Sequence, residues 1–342
     1  MVEAVALGVA GRREVAAAER SWAVAVRNFA AHLPRRVRRW VVMYEPAHHA
    51  EAVARVAPLL EVEHLFAAGL ADPAEVRRVA EATTGDGEVG YLEFVVTDGR
   101  FDHDGVDYRD AVRPFASWPN DRVRLCFDVW DEVFPMLFAE RREDLVGWCG
   151  EVAGRVAGCR SFAYEGRPGG WLRWSAGAWV RCDGSTDGDY LLPVGEVACR
   201  PDAVDGELVV DGWVIGSIPF GLKYGRIHAG ALRLGLRSGE VVAVGGDDVG
   251  LCRDVEMVME RVPQLRLVAE VGIGQSRAAT AASRVVPAGM QWHERRVGLH
   301  LGLGAELPDT VVERTHLTSH HLDVVMATGS VTTDAGDVVL AW

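Results

Sequence analysis

The sequence predicts an α/β (α+β) fold in two parts: an N-terminal α/β domain over residues 1–158 and a mainly antiparallel, β-rich C-terminal domain over residues 159–342. Three observations carry this prediction. In the first half, short β-branched runs are each followed by helical periodicity, the order that builds a parallel layer. From about residue 160 glycine becomes frequent and helical patterns thin out. Short alternating runs then succeed one another, divided by turn signals such as Gly169-Gly170, Asp183-Gly184, Asp211-Gly212 and Ser238-Gly239.

Residues 14–33 set Ala and Val against Arg, Glu and Trp at helical spacing, and Pro34 stops the pattern. Arg39 to Tyr44 reads as a strand, followed by a helix from about Ala47 to Leu60. The arginines just before it (Arg35, Arg36, Arg38, Arg39) read as a solvated approach to that strand rather than as a binding patch for an anionic partner. Val123 to Phe127 is the next strand, with helical stretches near Asp131 to Phe138 and Asp144 to Val156. Between them, Asp98 to Tyr108 is rich in Asp and Gly and reads as a loop or hairpin; its carboxylates and His103 fit a turn better than a metal loop. The second half offers strands at Ser161 to Tyr164, Trp171 to Trp174, Ala178 to Cys182, Glu207 to Val210, Arg226 to Leu234 and Val241 to Val244. A helix from Val249 to Glu260 ends before Pro263. Leu265 to Gly274, Arg296 to Gly304 and strands around His321 and Val338 complete the chain, whose apolar end suits a strand docked on its own sheet or an interface.

With 342 residues the chain has room for about two domains, and 49% apolar with 25% charged residues is the balance of a soluble globular protein. A net charge of -13 weighs against nucleic-acid binding by phosphate neutralisation. No apolar run approaches the roughly twenty residues that cross a bilayer, and the N-terminus lacks the order of a signal peptide. The expectation is a cytoplasmic protein with neither nucleic-acid nor membrane partners. Six cysteines without CxxC spacing read as reduced, mostly buried thiols.

Ionisable residues stand inside several of the later strands, where burial costs several kcal/mol unless each has a partner. Glu196 follows Leu191-Leu192-Pro193-Val194-Gly195, Glu270 lies in Val268-Ala269-Glu270-Val271-Gly272-Ile273-Gly274, and His300 lies in Gly298-Leu299-His300-Leu301-Gly302-Leu303-Gly304. His321 and Asp323, two apart in a β-prone run, project to one side. These five nitrogen and oxygen donors suit one or two divalent ions (Zn, Mn, Co or Fe) better than a structural thiolate zinc. Five of the eleven histidines fall after residue 290, which supports a site there.

In this order of segments the chain resembles the metallo-aminopeptidases of the thermophilic aminopeptidase T and S type. Leu192-Pro193-Val194-Gly195-Glu196-Val197 through Pro201 resembles the segment that gives those enzymes a metal-binding Glu. Glu270, His300 and the His321/Asp323 pair match the remaining ligands. The resemblance implies a metal-dependent hydrolase, dimeric as such enzymes commonly are, that cleaves an amide or peptide bond in a small substrate. Glu294 would be the catalytic general base, although it stands six residues before His300 where the peptidases have five. His293 and His320 are lesser candidates. The peptidases carry a Tyr seven residues after that His, where this chain has Leu307, so a donor for a developing oxyanion is missing.

A second branch of the same fold is similar to dihydroxypyridine dioxygenases, which hold one Fe(II) with two His and one Asp. There a His stands where this chain has Glu270. The residues here still offer a Glu-His-Asp triad (Glu270, His321, Asp323) for an iron oxygenase acting on a small aromatic or peptide-derived substrate. A non-catalytic binding protein on this scaffold is the third reading.

Overall fold

The computed structural model describes residues 18–68, 70–95, 118–186, 188–216, 218, 220–304 and 321–342. The Asp98 to Tyr108 segment, Leu307, His316 and His320 lie outside them.

A first helix, α1 (residues 18–30), buries Trp22, Ala25 and Phe29 on one stripe, and Phe29 stacks on Phe94 at 5.9 Å. Then follow β1 (Arg39–Tyr44), α2 (Pro46–Val56), β2 (Glu61–Ala67), α3 (Pro73–Thr83), β3 (Val89–Val95) and β4 (Val123–Phe127). These strands pair in parallel. β1 is apolar along its length because both faces are covered: Trp40 and Val42 join the cluster containing α1 and α2, while Val41 and Met43 join the one containing α3. The cap of α3 is Asp72, whose carboxylate accepts the Ala74 N–H at 2.9 Å.

The second half runs α4 (Arg142–Val156), β5 (Ser161–Glu165), β6 (Trp171–Cys182), β7 (Leu191–Leu192), β8 (Glu196–Val210), β9 (Trp213–Gly216), β10 (Leu232–Arg237) and β11 (Glu240–Gly245). It continues through α5 (Val249–Arg261), β12 (Val268–Gly274), α6 (Arg277–Ala282), β13 (Gly298–Gly304), β14 (His321–Val325), β15 (Ser330–Thr333) and β16 (Val338–Ala341). Except for β7, these strands form one antiparallel sheet in the order β16-β15-β5-β6-β8-β12-β13-β14-β9, with β10 on β8 and β11 beyond it. The parallel sheet, β2-β1-β3-β4-β7, takes its last strand from this half. The mixed α/β fold with a parallel and a large antiparallel sheet is the one the sequence predicts.

Differences from the sequence reading have local causes. β2 is an edge strand with only Phe66 buried, so it lacks a hydrophobic stripe. β3 carries Glu93 in its interior, where the carboxylate accepts the Tyr91 hydroxyl at 2.7 Å. β6 is one strand whose register slips between Ser175 and Trp179, which splits the pattern in two. The terminal strand docks on its own sheet through β15, and Trp342 stacks on Tyr164 at 5.9 Å. All six cysteines are free.

Candidate metal centre

Within the antiparallel sheet β12 lies between β8 and β13, and β13 between β12 and β14. The registers set Gly274 opposite Glu196, Gly272 opposite His300, Gly302 between Glu270 and Asp323, and Gly304 opposite His321. Directly opposed residues share a face, and so do residues two apart. All five sequence-predicted donors therefore project from one face, each opposed by a glycine. The alternating residues, among them Val271, Ile273, Leu301 and Val324, turn into the core on the other side. The glycines make room: at Gly272 a Cβ would run into the His300 ring, and at Gly302 one would stand 2.8 Å from His321 Cε1 and 2.9 Å from Glu270 Cβ.

His300 Nε2 lies 3.4 Å from Glu270 Oε1 and 3.5 Å from Glu196 Oε2, and His321 Nε2 lies 3.0 Å from Asp323 Oδ1. One ligand atom from each of Glu196, Glu270 and His300 falls within 4.8 Å of the others, and the same holds for Glu294, His300 and Asp323. His300 is common to both groups. Glu196, Glu270, His300, Asp323 and Glu294 are buried, whereas the His321 side chain is 26% exposed.

A 3-10 turn, Gln291–Arg295, covers this face. It is anchored to the parallel layer at Asp128, which follows β4: the carboxylate accepts the Gln291 N–H at 2.9 Å, and the carbonyl accepts the Trp292 indole N–H at 3.1 Å. Gln291 Nε2 in turn donates to Glu294 Oε2 at 2.7 Å and to Asp323 Oδ2 at 3.1 Å. From the same turn Arg295, only 4% exposed, pairs its guanidinium with Glu196 and reaches Glu294 Oε1 at 3.0 Å. His293 sits outside the cluster. It stacks on Trp292 at 4.0 Å and packs tilted against Trp213 at 4.5 Å, and burial pushes its pKa down to about 3, so it is a neutral packing residue.

Burial alone would raise the Asp323 carboxyl, but His321 and His300 beside it hold it well below the usual range. Burial raises Glu294, and the neighbouring Asp323 and Glu196 charges add to this despite Arg295. Glu196 is raised by burial, with Arg295 opposing. His300 is raised because Glu270 and Glu196 outweigh the desolvation of its ring. A cluster with this much buried negative charge favours a cation. Imidazoles and carboxylates at these separations fit a divalent ion of the zinc, manganese or iron kind.

The sequence reading did not single out Arg295. The spacing held a signal, since Arg295 stands five residues before His300, the separation at which the resembling peptidases have their catalytic Glu. A charge-reversed residue therefore occupies that place.

Fold and cluster together define an α/β protein of two sheets, with a buried carboxylate and imidazole cluster of metal-ligating kind on the antiparallel one. No family model matches the sequence, and no characterised protein matches it at the level of sequence. Among solved structures, the chain is similar to 2,5-dihydroxypyridine dioxygenase from Pseudomonas putida, with a TM-score of 0.60 and 15% identity over 94% of this chain and 95% of that one. At that identity the likeness shows the fold, and it extends over both halves of the chain.

Proposed function

We propose that the chain is a metal-dependent enzyme of the single-ion, non-haem iron oxygenase type, acting on a small aromatic or related molecule. Glu270, His321 and Asp323 would hold the ion, and His300, whose ring lies within 4.8 Å of donors from both Glu270 and Asp323, would stand beside them as a further donor. The observation that carries the reading is Arg295. A guanidinium paired with Glu196 and Glu294 already supplies one positive charge to the cluster, so Glu270 and Asp323 are the carboxylates left to meet an ion. The overall likeness to a dioxygenase supports the same reading.

Bound Fe(II) supplies the one-electron chemistry by which dioxygen reacts with a closed-shell organic molecule. The chain's own residues do the positioning. Asp323 orients the His321 ring through their 3.0 Å contact. Gln291 bridges Glu294 and Asp323, fixing the covering turn against the donor face.

The hydrolytic reading keeps Glu196, Glu270, His300, His321 and Asp323 around one or two ions, with Glu294 as general base. The number of carboxylates favours it. Against it stand the two partners, Gln291 and Arg295, that already hold the Glu294 carboxyl.

The test reconstitutes metal-free protein with Fe(II) under anaerobic conditions and measures oxygen uptake with dihydroxylated aromatics, 2,5-dihydroxypyridine among them. In parallel, protein loaded with Zn, Mn or Co is offered short peptides. Iron-dependent oxygen uptake that falls at least about tenfold in Glu270→Gln is expected. Release of amino acids without oxygen uptake would refute the oxygenase reading in favour of the hydrolase.

A further inference from the structure

Of the four arginines at the entry to β1, three are ion-paired: Arg36 with Asp121, Arg38 with Glu88 at 3.4 Å, and Arg39 with Glu63 at 3.1 Å and with Asp86. Arg35 has no ion pair among the described residues and opens instead onto a cavity of about 330 Å³. Its walls also carry Arg124, Arg142, His32, Ser185 and Thr186, and none of the lining residues is acidic. Three guanidiniums around one cavity, in a chain of net charge -13, invert the local sign of the potential.

The cavity has a built floor and a polar rim. Arg124 is 1% exposed, and its guanidinium plane is fixed by donation to His32 O at 2.9 Å, Asn120 O at 3.1 Å and Val123 O at 2.7 Å. His32 is 6% exposed, and its Nδ1 has no hydrogen-bond partner. Arg142, at the start of α4, donates from Nε to the Gly184 carbonyl, which leaves its outer nitrogens for a ligand. Gly184 adopts a φ of +81°, and a Cβ there would come within 2.8 Å of His32 Nδ1, so only glycine lets loop, imidazole and guanidinium converge. The nearest acids face the loop from behind: Asp189 accepts Gly184 N–H at 2.6 Å and the Thr186 hydroxyl at 3.2 Å, and Asp183 accepts Ser185 N–H at 2.9 Å and pairs with Arg181.

We propose that this cavity binds a phosphate group, either free phosphate or the phosphate of a small monoester, at a site separate from the carboxylate cluster. The outer nitrogens of Arg35 and Arg142 with the Ser185 hydroxyl, over the fixed charge of Arg124, suit a dianion with three or four acceptor oxygens, whereas a carboxylate would be satisfied by one arginine. The volume is at the lower end of the roughly 300–1,000 Å³ of small-molecule sites, enough for a phosphate with a short organic appendage.

The test is calorimetric titration of the full chain with inorganic phosphate, sulfate, glycerol phosphate and acetate at constant ionic strength. Saturable binding of phosphate or the monoester is expected, at least tenfold tighter than acetate. Arg35→Ala and Arg142→Gln should each weaken it by about tenfold or more, and Arg36→Ala, whose partner is Asp121, should leave it within about twofold of wild type. Tighter binding of glycerol phosphate would name an organic ester as the ligand, and equal binding would name free phosphate. Acetate matching phosphate, or Arg35→Ala binding phosphate like wild type, would overturn the proposal. Arg35 is exposed and has no ion pair among the described residues, so its replacement is expected to leave the fold intact and the test does not depend on Arg142→Gln.

Discussion

Replacing Arg295 by Met tests whether the donor cluster is held together by its own cation. The guanidinium is 4% exposed, paired with Glu196 and 3.0 Å from Glu294 Oε1. At an effective dielectric of about 20, two charges at 3.0 Å attract by about 5–6 kcal/mol, most of it offset by the desolvation of both groups. Met keeps most of the volume but strands two buried carboxylates, a change that costs about 3–5 kcal/mol when one partner of a buried ion pair is removed. Glu196→Gln/Arg295→Met removes pair and counter-charge together, so it should cost less than half as much. Urea unfolding followed by tryptophan fluorescence reads both. Adding Mn(II) to wild type and Arg295→Met at one fixed concentration, about 100 times the wild-type Kd, should then return roughly 2.7 kcal/mol in wild type where the ion binds the folded state. The gain should be larger in Arg295→Met than in wild type, because Glu196 and Glu294 are released to the ion. The reasoning is refuted if the single variant unfolds within about 0.5 kcal/mol of wild type, or if the double variant is as unstable as the single.

Gly272→Ala places a methyl group against the His300 ring, so His300 must leave its position; binding of Zn(II) or Fe(II) measured by calorimetry should weaken at least tenfold, and unchanged affinity would remove His300 from the ligand set. His49 is fully buried on α2, neither ring nitrogen has a hydrogen-bond partner, and burial together with His48 pushes its pKa from 6.5 down to about 3. Between those values the unfolded chain binds a proton that the folded chain refuses, so this contribution is complete above pH 6.5 and is lost as pH falls toward 3. The loss from pH 7 to 5 is about 2 kcal/mol, and His49→Leu should lose correspondingly less stability than wild type over that range. Equal losses in urea unfolding would show that His49 is solvated or paired in the native state.

How much of this was legible follows from how each residue is buried. β1 and β4 match the predicted Arg39 to Tyr44 and Val123 to Phe127, because strands covered on both faces read as continuous apolar runs. β8 extends over Glu196–Val210, yet only its two ends, at Glu196 and at Glu207 to Val210, read as strand, since Arg200, Asp202 and Asp205 sit where a buried pattern would be apolar. The five donors were legible one by one, as charges inside apolar strands. Their common face was not, because it depends on cross-strand registers that pair each with a glycine far away in sequence. Arg295 was hidden for the opposite reason. In Gln291-Trp292-His293-Glu294-Arg295-Arg296 it looks like one of many solvated arginines, and only the turn's anchorage to Asp128 carries it under the surface.

On the proposed reading, that anchorage also decides from which side a reactant meets the donors. Glu196, Glu270, His300 and Asp323 have side chains 1–8% exposed, closed off by the sheet beneath and by the Gln291–Arg295 turn above. The turn is tied to the end of β4 through Asp128, so lifting it would break two hydrogen bonds to the parallel layer as well as the Arg295–Glu196 ion pair. His321, 26% exposed, is the one of the five donors that solvent reaches. On the proposed reading a small molecule meets the cluster at His321, and the residues that select it are to be sought around that histidine and not beside Glu196, where Arg295 fills the space.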